Sequence, residues 1–423
     1  MLESERIIIK RGNPLKILLT FIFLLFFSGC AQRGLISEKS DKIYDIPDLS
    51  ATIDHNQNPV FLVYGDTQTG WRLAEKFIWS KNWLTWKMLC FPFYELYWLS
   101  NGFIGTINFL RYQPDYGIEQ QRRVRDAILQ YHRDNDLDFI MQLGDKVADG
   151  RYPSHWQPFL TLNHIETSLL STLPYFTVLG NHEVTNDTVY GKPNHRTLFD
   201  QPGFYTLDFP GLRLIVVNSN FILDQDGLFD TEKQNALFKQ WFISNNPDTP
   251  AWLQKQLSSH HTFKIIFMHH PLASFGKHHS NWYNKAYGQS LRQKRLALLR
   301  LFDNHDVDIV FSGHEHYYAH NLIRTGNSKD TLHQIIASAG GVPLRDLPGE
   351  QKIASACKRY KADNIHVRVM KQEKKYHYCI VKVGNTNLTV DVYAIDDDSS
   401  VYPVDKIVLK NKQVFHSPIS EQE

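Results

Sequence analysis

The sequence predicts an α/β fold, because short apolar runs of strand length alternate with stretches of helical spacing. Five of those runs end in a short polar motif rich in Asp, Asn and His. At 423 residues and 42% hydrophobic content, the chain can also bury a sizeable core.

The first predicted strand is Val60 to Tyr64, a continuous apolar run that ends in Gly65-Asp66. A helix follows over Gln120 to His132, where Val124, Ile128 and Leu129 fall on one face. Asp138 to Leu143 reads as the next strand and ends in Gly144-Asp145. Tyr175 to Leu179 then runs into Gly180-Asn181-His182-Glu183. Further strands are expected at Arg213 to Asn218, Phe263 to Met268, Asp308 to Phe311 and Gln334 to Ala337. Two of these lead into His269-His270-Pro271 and Ser312-Gly313-His314-Glu315-His316. A helix starts at Pro250, with Thr249 as its cap and Trp252, Leu253 and Leu257 on its apolar face. At the C-terminal end, Tyr376 to Val383 and Leu388 to Ala394 are joined by Gly384-Asn385-Thr386-Asn387, a hairpin signal expected to close a second sheet.

In an α/β domain, functional groups collect where strands end. Asp, Asn and His gathered at successive strand ends are a donor set for adjacent hard or borderline cations, and such pairs of cations serve hydrolysis of phosphoesters.

Outside the domain, Lys10, Arg11 and Lys16 flank the apolar core Ile17 to Phe27, and Ser28-Gly29-Cys30 follows. Residues 1–29 thus read as an export signal. Small residues before a cysteine resemble a bacterial lipoprotein signal, which makes Cys30 the lipidation site and implies an exported, membrane-anchored protein. Ala31, a residue other than Asp, implies outer-membrane sorting facing the periplasm in a Gram-negative cell. Residues 30–58 are polar and aperiodic, as a tether would be, and 397–423 are assigned to a C-terminal tail. The domain between, 59–396, carries an insert from Trp71 to Arg111 that holds five of the nine Trp residues. Its helix breakers argue against a regular spanning helix and for a packed cap over the site, with interfacial lipid contact as the alternative.

Lys plus Arg number 46 against 44 Asp plus Glu, so the charge balance gives no reason to expect a nucleic-acid partner. The basic residues between Lys358 and Lys375 read as a solvated face. Once Cys30 is set aside, Cys90, Cys357 and Cys379 cannot all pair and form no CxxC, so no disulfide framework or zinc ribbon is implied. A Cys357 to Cys379 bond is left open.

The ordered motifs Gly65-Asp66, Gly144-Asp145, Gly180-Asn181-His182-Glu183, Met268-His269-His270-Pro271 and Gly313-His314-Glu315-His316 resemble the calcineurin-like metallophosphoesterase family, especially its purple acid phosphatase-like branch. The resemblance runs from about Val60 to Ala394 and includes Gly203-Phe204-Tyr205-Thr206-Leu207 and Tyr317-Tyr318. It implies a sandwich of two mixed β-sheets flanked by helices, with a dinuclear metal site at the strand ends. Asp66, Asp145 and His316 would hold the first metal, and Asp145, Asn181, His269 and His314 the second, with Asp145 bridging. The cofactors would be two divalent ions from among Mn, Fe, Zn and Mg. His182 would be the catalytic group beside the phosphate, stabilising charge or giving a proton to the leaving oxygen. His270, His278 and His279 are candidates for substrate contact.

Two departures matter. Where the family often has Asp-x-His, this chain has Asp66-Thr67-Gln68, so Gln68 is a weak ligand or an outer-sphere group. Where purple acid phosphatases carry a tyrosinate, the chain has Ala148, so no charge-transfer colour is expected. The resemblance implies hydrolysis of small phosphomonoesters by a metal-activated hydroxide. A phosphodiesterase or nuclease with the same metal core, and a catalytically silent binding lipoprotein, are the competing expectations.

Overall fold

A computed structural model describes residues 34–36, 46–68, 117–164, 168–184, 189–222, 250–283, 288–326 and 331–411. The signal region, Cys30, Cys90, the 71–111 insert and Thr249 lie outside the described residues.

Two mixed sheets face each other. The strands are β1 (Val60–Tyr64), β2 (Phe139–Gln142), β3 (Tyr175–Thr177), β4 (Phe204–Phe209), β5 (Leu212–Val217), β6 (Phe263–Phe267), β7 (Ile309–Ser312), β8 (Tyr318–Thr325), β9 (Leu332–Ala337), β10 (Ile365–Glu373), β11 (Tyr376–Val383), β12 (Asn387–Ile395) and β13 (Val401–Lys410). The six-stranded sheet has the order β13-β12-β11-β1-β2-β3, and the seven-stranded sheet the order β10-β8-β9-β7-β6-β5-β4. β1, β2 and β3 are mutually parallel, as are β5, β6, β7 and β9. Their carboxyl ends carry the polar motifs.

The side-chain period of two decides how these strands pack. Phe61 and Val63 point inward with Phe139 and Met141 to meet Phe267, Ile309, Phe311 and Ile335 of the other sheet. Leu62, Tyr64 and Ile140 point outward, under Val124 and Ile128 of the helix Ile118–Asn135 and Trp156 of the helix Pro153–His164. On the other flank Ile266 and Val310 are covered by Leu298 and Phe302 of the helix Gly288–Asn304 and Tyr360 of the helix Glu350–Ala362. Because both faces are covered, the central strands read as continuous apolar runs. Truncating Phe61 to Ala in this inter-sheet core would cost about 3–5 kcal/mol.

Two expectations change and one open point closes. The hairpin β11–β12 joins the sheet of β1 rather than closing a second one: the registers Phe61↔Val381 and Val63↔Cys379 align the inward-facing residues of both strands. The stretch assigned to a C-terminal tail contains β13, which pairs with β12 along its length. As an edge strand it buries little beyond Ile407, and Pro403, Asp405 and Lys406 hide its β pattern while guarding the edge. Cys357 and Cys379 are both free thiols, in different hydrophobic clusters, so they form no bond. The basic stretch from 358 to 375 is the end of the helix Glu350–Ala362 followed by β10, an edge strand of the seven-stranded sheet.

Candidate metal centre

Each motif turns sharply as it leaves its strand. Asp66, Gln68, Asp145, His314 and His316 all have positive φ, between 44° and 78°. A non-glycine residue there is sterically penalised, by about 1–3 kcal/mol each, so five in one place mark a site that the surrounding structure holds under strain. The turns also press together. A Cβ at Gly144 would lie 2.6 Å from the backbone N of Gly180, so the second and third motifs can touch only through glycine.

The turns bring Asp66, Asp145, Asn181, His269, His314 and His316 into one cluster. His269 Nε2 lies 3.0 Å from Asn181 Oδ1, 3.1 Å from His314 Nδ1 and 3.2 Å from Asp145 Oδ2. A few ångströms away, His316 Nε2 sits 3.8 Å from Asp66 Oδ1 and 3.4 Å from Gln68 Nε2, and Gln68 Nε2 donates to Asp145 Oδ2 at 2.8 Å. Donor atoms of Asp66, Asp145 and His269 all lie within 4.8 Å of one another, as do those of His269, His270 and His314.

The ligand-type side chains are aimed by backbone groups. His314 N–H donates to both oxygens of Asp66 at 3.0 Å, and His182 N–H donates to Asp145 Oδ1 at 2.9 Å. His269 Nδ1 donates to Leu143 O, His316 Nδ1 to Pro343 O and His182 Nδ1 to Ala148 O. Those bonds put the Nδ1 of each ring on the backbone and leave Nε2 to face the cluster.

Electrostatics says what the cluster wants. Burial pushes the Asp66 carboxyl well above its usual range, and the nearby Asp145 adds to this against the pull of His269. Burial also works against Asp145, yet His269 and His182 outweigh it and hold that carboxyl well below its usual range. Burial should depress His269, but the Asp145 charge and hydrogen bond raise it to about 9. Asp66 is thus driven toward its neutral form while the ionised Asp145 keeps His269 charged, so the buried cluster calls for positive charge. Carboxylate oxygens, an amide oxygen and imidazole nitrogens at these separations suit divalent borderline cations.

His182 is partly exposed at the cluster's edge, with Nε2 3.8 Å from Asp145 Oδ2. His270 is buried with its ring centroid 4.4 Å from that of His314, and its Nδ1 shares a 2.8 Å hydrogen bond with Ser219 Oγ. The His278 ring lies over His314, centroids 3.9 Å apart. His279 turns away toward Arg359, 3.5 Å from its Nη1.

Several supporting residues were not foreseen. Glu183 accepts backbone N–H bonds from Asp145, Lys146 and Gly180, tying the second motif to the third. Its place in Asn181-His182-Glu183 was the available signal. Ser338 accepts from His316 N–H at 2.7 Å, the Asn281 side-chain amide hydrogen-bonds His314 Nε2 at 3.0 Å, and Arg345 donates to His314 O at 3.0 Å. These three lie outside every motif, and nothing in their local sequence marks them.

Two facing mixed sheets with carboxylate, amide and imidazole donors at their strand ends define a two-sheet metal-dependent hydrolase architecture. Residues 59–318 match the calcineurin-like phosphoesterase family, and the chain belongs to that family, whose members hold two divalent cations at such a site. Among its relatives, purple acid phosphatase 21 of Arabidopsis thaliana is 28% identical over 203 residues, covering 44% of this chain and 39% of the relative. "Probable inactive purple acid phosphatase 27" of the same plant is 22% identical over 266 residues, covering 56% of this chain and 39% of the relative. The chain spans about two-fifths of the length of these relatives. In fold it is similar to a purple acid phosphatase from yellow lupin (Lupinus luteus) seeds, with a TM-score of 0.51 at 15% identity over 84% of this chain and 54% of that one.

Proposed function

We propose that the protein hydrolyses phosphoesters, with phosphomonoesters as its substrates, at a dinuclear metal centre. The convergence of Asp66, Asp145, Asn181, His269, His314 and His316 on one buried cluster carries this reading. Asp66, Asp145 and His316 would hold one cation, and Asp145, Asn181, His269 and His314 the other. When bound, the cations supply Lewis acidity to the phosphoryl group and to water.

The chain's own residues do the rest. Asp145, gripped by His182 N–H and Gln68, is shared by both halves of the cluster. With His182 Nδ1–H committed to Ala148 O, only Nε2 can face a substrate, where it can hand a proton to a leaving oxygen or stabilise its charge. His278, whose ring packs against His314 at a 45° tilt, would contact the phosphate as well. His270 is engaged by Ser219 and packs edge-on against His269.

Two of the plant relatives carry "inactive" in their names. The full donor set here, with His182 at its edge, favours turnover over a silent binding role. Assays of p-nitrophenyl phosphate beside its bis-ester, with added Mn²⁺, test the reading. Faster monoester hydrolysis is expected; preference for the bis-ester would move the protein to the phosphodiesterases, and no hydrolysis of either would remove the enzyme reading.

The protein is further proposed to be exported and anchored by acyl chains on Cys30, on the strength of Ser28-Gly29-Cys30 after an apolar run. Among the described residues no helix is long and apolar enough to cross a membrane. Cys30→Ala should leave an unprocessed precursor, and normal cleavage of that variant would defeat the lipoprotein assignment.

A further inference from the structure

The loop that follows His269 is stapled to the body of the protein along most of its length. Gln334 bonds both Ala273 N–H and Ala273 O, and Trp282 Nε1 donates to Pro271 O at 2.9 Å. Tyr360 Oη accepts from Ser274 N–H at 2.9 Å and donates to Ser274 O at 2.6 Å.

At the tip, the fixing group is a carboxylate. Glu315, fully buried between His314 and His316, accepts from Ser274 Oγ and from His278 N–H, the latter at 3.2 Å, both through Oε1. Ser274 Oγ in turn accepts from Gly276 N–H at 3.1 Å. A Cβ at position 276 would overlap Glu315 Oε2 and come within 2.7 Å of Tyr317 Oη, so the loop closes on the carboxylate only because residue 276 is glycine. An apolar residue could fill this space without the desolvation cost of a buried carboxylate. What Glu315 adds over such a residue is its set of bonds to the loop.

We propose that Glu315 is a positioning residue: its carboxylate clamps the 274–278 loop and thereby holds the His278 imidazole against His314, at the mouth of the metal centre. His278 then faces an incoming phosphoryl group with little freedom left to lose, while His279, one residue on, is directed to Arg359 instead. The inference rests on the reading of the protein as a phosphoesterase.

The test is a double-mutant cycle on the metal-loaded protein, reading metal content, affinity for inorganic phosphate, and kcat and KM for p-nitrophenyl phosphate. Glu315→Ala and His278→Ala should each keep the metals and weaken phosphate affinity and kcat/KM by roughly tenfold to a hundredfold. The double variant should be no worse than His278→Ala alone. Glu315→Gln, whose amide oxygen still accepts both bonds, should retain most of the wild-type values. Should Glu315→Ala shed metal, Ser274→Ala carries the same cycle, since it cuts the clamp without altering the turn that bears His314 and His316. Additive losses, or equal losses in Glu315→Gln and Glu315→Ala, overturn the clamp. Coupled losses in phosphate affinity without any turnover would uphold the clamp and refute the hydrolase reading; normal turnover without coupling would do the reverse. A wild-type protein that binds no phosphate overturns both.

Discussion

The six-stranded sheet supplies the centre mainly with oxygen donors, Asp66, Asp145 and Asn181, while the seven-stranded sheet supplies only imidazoles, His269, His314 and His316. Each set is steadied by the other sheet's turns. His314 N–H, from the imidazole side, holds Asp66, and Leu143 O, from the carboxylate side, fixes the tautomer of His269. Neither sheet completes the site alone, because the groups that orient Asp66 and His269 belong to the opposite sheet. The two cation positions also differ. Asn181, His314 and Asp145 all come within 3.2 Å of His269 Nε2, whereas His316 lies 3.8 Å from Asp66 and next to the Gln68 amide, whose nitrogen donates to Asp145.

The largest effect should come from breaking the group both halves share. Asp145→Asn removes its charge, and metal content should fall together with kcat, the latter by about a thousandfold or more. A variant with both metals and near-normal turnover would show that the two halves do not depend on Asp145. Next is His182→Ala, which removes a side chain at the edge of the oxygen-donor sheet without taking a donor from either cation. Both metals should stay while kcat drops about a hundredfold, less for substrates with good leaving groups if the ring gives a proton. Full activity with metals retained would refute its proposed role.

The asymmetry between the two cation positions is sharpened by Gln68→His. Imidazole in place of the amide should lower the metal concentration giving half-maximal activity by roughly tenfold, as a stronger donor at the sparser position would. An unchanged or higher requirement in a metal titration would place Gln68 outside the coordination sphere, as a holder of Asp145 only.

The smallest effect tests the seam between the sheets away from the metals. His377 on β11 is buried, its ring edge-on to Tyr318 of β8 at 5.4 Å. Burial lowers this imidazole from 6.5 to about 4. As pH falls, the unfolded chain therefore takes up a proton before the folded one, so this contribution is complete above the unfolded value and is lost on the way down to about 4. Between about pH 7.5 and about pH 5 the loss should be about 2 kcal/mol. Urea unfolding of wild type and His377→Gln at both pH values checks it: the variant should lose that much less on acidification, and parallel losses would show that His377 is not buried neutral.

The chemistry of the centre was legible in the sequence because each ligand follows an apolar strand within about four residues, so its type and its position at a strand end are both local facts. The central strands were legible for the same reason: burial on two faces writes an unbroken apolar run. The edge strands β10 and β13 were not, since a strand half in water carries charges that mask its period. Nor was the partner of the C-terminal hairpin, because Val381 and Cys379 suit any inward-facing neighbour and only register with Phe61 and Val63 selects β1. Residue types alone determined that this chain gathers carboxylates and imidazoles for cations. The tertiary structure decided which backbone groups aim them, that Ser338, Asn281 and Arg345 brace the turn bearing His314 and His316, and that Glu315 reaches back to the loop of His278. Those contacts join segments far apart in the chain, where closing the sandwich, rather than any local preference, brings the atoms within reach.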